Sequence, residues 1–400
     1  MPANNRITYF NQGLFVGQTP NTGLSFIDKS GNPTNGPIIS VPNSYVDTGL
    51  EAFNLIQQIN HVQSVSYSFD ISRRPVLELG NNGLIAEQII QHPVVNFDFE
   101  TLQNGISNEL KLGLTCNFTS FISGRNGVGF YGSNVNVLSG LFTRWTGGLN
   151  SQLLYPRHYS DKKNFYLKIE EEGTELISAT QNEQFNSTTL SLGSCYLSSY
   201  IASARVGDLP RARYTYTCDN INVFTGSMGF NPALNPYNGS GITTGHYIIP
   251  TFLRKESPKV ISANDIRISL TNNSGSLFNL SGVGFDWNNF KVQAYQLELS
   301  LGREPLESLT CKTPFFRGIV YPVFANINIE AIVSEDFATS LNSLFFHDNS
   351  YSLDINLRNR CVYSGLDSYL NNLVRYSFNT AKLRSVQYGS SIGQNVSIQL

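Results

Sequence analysis

The acidic pair Asp98 and Glu100, in VVNFDFETL, consists of residue types that glycoside hydrolysis uses, one carboxyl as acid and one as base or nucleophile. The two alternate on one polar strand face, however, and a second version of the segment, ANINIEAI, puts Asn328 where Asp98 stands. The rings of Trp145 and Trp287 could stack on sugar, or fill a core or an interface. The five histidines (His61, His92, His158, His246 and His347) show no HxH, HExxH or Cys/His ligand spacing. Gly127, Gly129 and Gly132 spell GxGxxG, but in a glycine-rich stretch without the strand–helix unit that dinucleotide binding requires. The sequence has no Walker loop. The expectation is a protein that is not an enzyme, with no catalytic, cofactor-binding or metal-binding residue.

The composition is that of strands and turns. Of the 400 residues 40% are hydrophobic and 12% aromatic, enough for a sizeable core, while only 14% are charged. Soluble domains usually carry about 25% charge, and long surface helices need Glu and Lys. A weakly charged surface fits contact with other protein, or simply a β-rich chain with polar loops. The net charge of −2 gives no basic footprint for gripping nucleic acid. The N-terminal MPANNRITYF lacks a signal pattern, and no apolar run reaches the roughly 18 residues of a membrane helix, so no membrane binding by the monomer is expected. Five cysteines (Cys116, Cys195, Cys218, Cys311 and Cys361), an odd count without CxxC, predict free thiols made in a reducing compartment.

The elements that would position these residues are written twice. VQSVSYSFDISRRPVLELG starts at Val62, and VQAYQLELSLGREPLESL starts 230 positions later at Val292. Without a gap, Arg73 meets Arg303, Pro75 meets Pro305, Leu79 meets Leu309, Asn96 meets Asn326 and Glu100 meets Glu330. A second set of matches, at a shift of 186, relates Leu167 to Leu353, Ile169 to Ile355, Leu197 to Leu383, Ser199 to Ser385 and Gly207 to Gly393. The two shifts differ by 44, which predicts an insert at about 102–163, in a Gly/Asn-rich stretch. The expected organisation is a tandem duplication, 1–218 and then 219–400. Each copy reads as a strand, a loop of about 20 residues, and a return strand.

Alternation separates the faces of these strands. Val65, Tyr67, Phe69 and Ile71, with Val95, Phe97 and Phe99, predict a core face; Tyr295, Leu297, Leu299 and Leu301, with Ala325, Ile327 and Ile329, repeat it. The opposite faces hold Asp70, Asp98, Glu100, Glu298 and Glu330 among small polar residues, with no Lys or Arg on those faces. Such a face suits the wall of a wet passage for a polyanion, or an outer surface that is merely acidic. At the tips, Pro75, Leu77 and Leu79, like Pro305, Leu306 and Leu309, put apolar residues on a loop. Exposed apolar loops mark contact sites, unless the tip folds back on its own domain. Arg73 and Arg303 stand where strand becomes loop, placed to meet carboxylates or carbonyls of a neighbour. The best helix candidate is Ser334–Phe346.

The segments SYSFDISRRPVLELG, LELSLGREPLESL, SSYIASARVGDLPRARYTYTC and KLRSVQYGSSIGQNVSIQL together resemble the tail tube proteins of tailed bacteriophages. The resemblance covers under a third of the chain. It implies an all-β fold with minor α content: two tandem β-sandwich domains whose inner strands join a ring-wide β-barrel. It implies trimeric rings acting as pseudo-hexamers and stacked into a tube, in contact with other tail proteins. Double-stranded DNA would pass through without specific binding. It places the protein in the virion tail after synthesis in the bacterial host cytoplasm. On that reading Asp70, Asp98, Glu100, Glu298 and Glu330 line the lumen. Arg73, Pro75, Leu77, Leu79, Arg303, Pro305, Leu306 and Leu309 make the contacts between rings. A tail terminator or baseplate ring of the same fold remains open, as does a sugar-binding β-sandwich using Trp145 or Trp287.

Overall fold

The computed structural model describes residues 12–18, 26–27, 33–34, 56–80, 83–89, 94–103, 105, 107–112, 114, 163–170, 188–225, 228–230, 246–248, 261, 265–272, 291–307, 314, 316–320, 322–332, 351–358, 372–389 and 397–399. The predicted helix Ser334–Phe346, Leu309, both tryptophans, the GxGxxG and nearly all of the expected insert lie outside them. The described part is mostly strand with almost no helix, an all-β fold. In chain order it runs β1 (Gln12–Gln18), β2 (Phe26–Ile27), β3 (Pro33–Thr34), β4 (Gln57–Gln58), β5 (Val62–Asp70), β6 (Arg73–Val76), β7 (Ala86–Ile89), β8 (Val94–Leu102) and the short helix α1 (Ser107–Lys111). There follow β9 (Lys163–Ile169), β10 (Thr188–Arg205), β11 (Arg211–Cys218), β12 (Asn220–Thr225), β13 (Met228–Phe230), β14 (His246–Ile248) and β15 (Ile266–Asn272). The chain continues with β16 (Lys291–Ser300), β17 (Arg303–Leu306), β18 (Phe316–Ile319), β19 (Ala325–Ile332), β20 (Tyr351–Arg358), β21 (Asn372–Ala381), β22 (Gln387–Gly389) and β23 (Ser397–Gln399).

Twelve strands share one open sheet. Its main path is β22-β23-β19-β16-β10-β11-β8-β5, and a branch through β9, β1, β4 and β12 leaves it at β10. The 18-residue β10 makes the branch possible. Its first part, Thr188–Gly193, lies between β9 and β12, and its second part lies between β11 and β16. The change of sheet occurs around Ser194, whose φ is +52°, at a shift in the β9 register. Asn164, fully buried on β9, accepts a hydrogen bond from the Ser194 N–H at 3.1 Å. Asp219 N–H donates to the Gly193 carbonyl at 3.0 Å. Such bulges turn a strand from one layer of a sandwich into the other. Beside the bend, Cys195 and Cys218 face each other across β10 and β11 and form a disulfide. The expectation of free thiols is corrected for these two: the register brings together residues that lie 23 apart in sequence.

Alternation explains the core. Val95, Phe97 and Phe99 of β8 are fully buried, and Phe97 and Phe99 meet Phe165 from β9 of the opposing layer at 5.0 and 5.6 Å between ring centres. Tyr214 stacks on Phe99 at 4.8 Å. Offset and tilted aromatic pairs add to the area they bury. One apolar cluster continues through Leu297, Leu299, Ile355 and Tyr376, so both halves of the chain share a core.

The strand ladders repeat at the spacing of the sequence. Tyr67 pairs with Phe97 and Ser64 with Glu100; 230 positions on, Leu297 pairs with Ile327 and Ala294 with Glu330. Each ladder has one irregularity, at Val62/Ser64 and at Val292/Ala294. The β10–β11 pair Ala202 with Ala212 has its counterpart, 186 on, in Tyr388 with Ile398. Elsewhere the sequence match is two residues off. Leu190 pairs with Leu167, and its counterpart Tyr376 pairs with Ile355 rather than Leu353. A slip of two keeps the same side chains on the same face, which hides it from sequence comparison. The ladder also runs past the expected border at residue 218, because β12 pairs with β10.

A buried polar network ties the halves together. Glu109 of α1 accepts hydrogen bonds from the hydroxyls of Tyr214 at 3.0 Å and Tyr200 at 3.4 Å. Tyr200 and Tyr376 share a hydroxyl–hydroxyl bond of 2.8 Å, and Gln103 Nε2 donates to both. Burial pushes the Glu109 carboxyl from 4.5 up to about 7, against the opposing effect of its hydrogen bonds. Between those pH values the folded chain holds a proton that the unfolded chain has lost. Stability therefore falls as pH rises from 4.5 through about 7 and is level above that. Glu109→Gln is expected to remove this slope and to stabilise the protein at pH 8 by up to about 3 kcal/mol relative to its effect at pH 4, read from urea unfolding at the two pH values. Asn164→Ala strands the Ser194 N–H and is expected to cost about 1–3 kcal/mol in the same measurement.

Candidate functional site

The main path of the sheet has one continuous polar face. Cross-strand neighbours share a face, so rows can be followed from strand to strand. One row runs Ser64, Glu100, Arg213, Ile201, Glu298, Asn326, crossing from the first half to the second without a break. The next runs Leu102, Arg211, Ser203, Gln296, Asn328. Asp70, Asp98, Glu100, Glu298 and Glu330 all lie on this exposed or half-exposed face, eight strands wide.

The face does not carry one sign of charge, contrary to the reading of the hairpins alone. Arg213 reaches Asp98 at 3.1 Å and Arg211 reaches Glu100 at 2.8 Å. Arg205 lies 4.0 Å from Glu330. The arginines come from β10 and β11, which are inserted between the two hairpins in the sheet order. Their phase was readable in RARYTYTC, but which hairpin they would face was not. Hydrogen bonding to Glu100 raises the Arg211 pKa further, so the guanidinium keeps its charge. Half-exposed pairs of this kind contribute about 0–1 kcal/mol each, so their effect is on the potential of the face rather than on stability.

Both expected tip loops are hairpins. β6 pairs with β7 and β17 with β18 in matching register, Arg73 opposite Ile89 and Arg303 opposite Ile319. Residues 72–80 and 83–88 of the first are exposed, with Leu77, Leu79, Leu84 and Ile85 uncovered and Arg73 4.0 Å from Glu87. The second is docked at its base. Arg303 does meet backbone carbonyls, but those of its own chain: Nε donates to Leu197 of β10 at 2.9 Å and Nη1 to Arg317 at 3.2 Å. Arg303 also lies over the Tyr196 ring at 5.4 Å, and Arg317 forms a buried ion pair with Asp219 at 2.8 Å. Its outer residues Pro305 and Leu306 remain exposed.

One further departure concerns β5. Tyr67 and Phe69 have the phase of core residues, yet they are 46% and 55% exposed. β5 is the last strand on its side of the sheet, and no described strand lies beyond it. No protein-family model matches the chain, and no curated protein matches its sequence. Arg317→Ala leaves Asp219 buried without its countercharge and is expected to cost about 3–5 kcal/mol in urea unfolding. Leu77→Asp, on the exposed hairpin, is expected to stay within about 0.5 kcal/mol of the parent.

Proposed function

We propose that the chain is a structural subunit of a phage tail tube: two tandem copies of one β-sandwich unit, assembling as trimeric rings that stack into a conduit for double-stranded DNA. The role is architectural and involves no catalysis. The observation that carries this reading is the polar face, continuous over eight strands from β5 to β22. The matching ladder registers support two copies per chain, each giving four strands to that face. Three chains give six copies and a symmetric closure. Twenty-four strands at about 4.8 Å spacing and a tilt of about 35–45° close into a barrel about 45–52 Å across between backbones, well inside the range that leaves an aqueous channel.

The mixed charge refines how such a wall lets DNA pass. Affinity for phosphates comes from cations that release counterions. Arg211 and Arg213 each hold a carboxylate within 3.1 Å, so the face offers hydration without a free cationic row at these positions. The uncovered apolar residues of the β6–β7 hairpin suit contact with the next ring.

Negative-stain images of the purified protein are expected to show rings and tubes. Single rings that never stack would instead indicate a terminator or baseplate ring. Soluble monomers at every concentration would overturn the reading. Changing Asp98, Glu100, Glu298 and Glu330 to Lys frees the arginines and adds charge to a solvated face. Such tubes are expected to fold, to retain DNA in a salt-sensitive way and to slow its delivery; delivery at the parental rate would remove the face from the lumen.

A further inference from the structure

The Cys195–Cys218 bond joins the two places that hold the β17–β18 hairpin. Tyr196 pairs with Thr217 across β10 and β11, and the cysteines stand one position further along that ladder, both fully buried and bonded to each other. Beside Cys195 in sequence are Tyr196, whose ring lies under the Arg303 guanidinium, and Leu197, whose carbonyl accepts from Arg303 Nε. Beside Cys218 is Asp219, which takes Arg317 in a buried ion pair. Arg303 and Arg317 belong to the two strands of one hairpin, Arg303 opposite Ile319 and Pro305 opposite Arg317. The first hairpin shows what the same unit does without these anchors. Its register is the same, but Glu87 stands in the place of Arg317, and its residues 72–80 and 83–88 are exposed.

We propose that Cys195 and Cys218 form a redox-sensitive lock on the docking of the β17–β18 hairpin. As a disulfide they fix the spacing of Tyr196, Leu197 and Asp219, so that Arg303 and Arg317 are held at once. As two thiols they remove the cross-link at the β10 bend, and the hairpin is released to stand free like β6–β7. The bond forms by exchange with a low-molecular-weight disulfide such as glutathione disulfide. One cysteine thiolate attacks its S–S bond, expels one glutathione thiolate and leaves a mixed disulfide. The other cysteine attacks the protein sulfur of that bond and expels the second. Two protein thiols are oxidised, one glutathione disulfide is reduced to two thiols, and these take up the two protons. Both protein sulfurs are buried, so exchange runs through an opening of this region. Docking and oxidation favour each other by the same factor, because a coupling between two equilibria is reciprocal. The lock is independent of whether the chain builds a tube.

The full chain is prepared as the dithiol under reductant and as the disulfide after exchange with glutathione disulfide, and alkylation with peptide mass spectrometry identifies the pair. Hydrogen–deuterium exchange is then followed in residues 303–319 and, as the internal standard, in residues 73–89. Exchange at 303–319 is expected to be about tenfold faster in the dithiol, with 73–89 the same in both forms. Cys195→Ala with Cys218→Ala is expected to match the dithiol and to ignore glutathione disulfide. Arg303→Gln and Arg317→Lys each loosen the docked hairpin without touching a sulfur. Each is expected to lower the equilibrium constant for oxidation by glutathione disulfide, by the factor by which it speeds exchange at 303–319. Equal exchange at 303–319 in the two redox forms would overturn the lock, as would an oxidation constant that neither arginine substitution moves. Protection lost along all of β8, β10 and β11 in the dithiol would show a bond that supports the whole sheet, and would overturn it too.

Discussion

Strand β10 has to satisfy two layers of sheet and two halves of the chain at once. A backbone buried between four neighbouring strands has no water to pair with, so every N–H and carbonyl must find a strand partner or a side chain. β9, β12, β11 and β16 supply the strand partners. At the bend no strand can, and there the carboxamide of Asn164 takes the Ser194 N–H. The positive φ at Ser194 is strain for a residue with a Cβ, tolerated because both ends of the strand are already fixed. From this one strand follow the branching of the sheet, the disulfide between Cys195 and Cys218, and the alignment of the two halves.

The halves are alike in their ladders but not in their surroundings. The second hairpin settles on the first half through a guanidinium over a ring and a strand ladder, and on Asp219 at the border through a buried ion pair. The first hairpin leaves Val76, Leu77, Leu79, Leu84 and Ile85 uncovered. Similar sequences therefore meet different environments. The polar network of Glu109, Tyr200, Tyr214, Tyr376 and Gln103 works in the opposite sense, since its members come from both halves and fix them to each other. A half-satisfied buried carboxyl is costly, so its retention is balanced by the tyrosine hydroxyls that converge on it.

The arginine pairs change the physical meaning of the polar face. A wall of carboxylates would repel a polyanion at long range. A wall of carboxylates paired with guanidinium groups has a weaker far field, and its polar groups are already engaged with one another.

Much was legible from the strands themselves, because alternation has a period of two and a buried face must be apolar along its whole length. VVNFDFETL announced both the buried Phe97 and Phe99 and the solvated Asp98 and Glu100, and the shift of 230 is the shift by which the hairpin ladders repeat. The sequence by itself determined the local pairing, the faces and the repetition. Only the tertiary structure decided which strands stand side by side across the halves. The strand order also set the Arg211 and Arg213 partners, sank Glu109 among tyrosines and left Tyr67 and Phe69 uncovered at an edge. None of these is a property of a segment. Each depends on the free energy of packing whole layers together, where a neighbour 100 or more residues away outweighs the residue next in the chain.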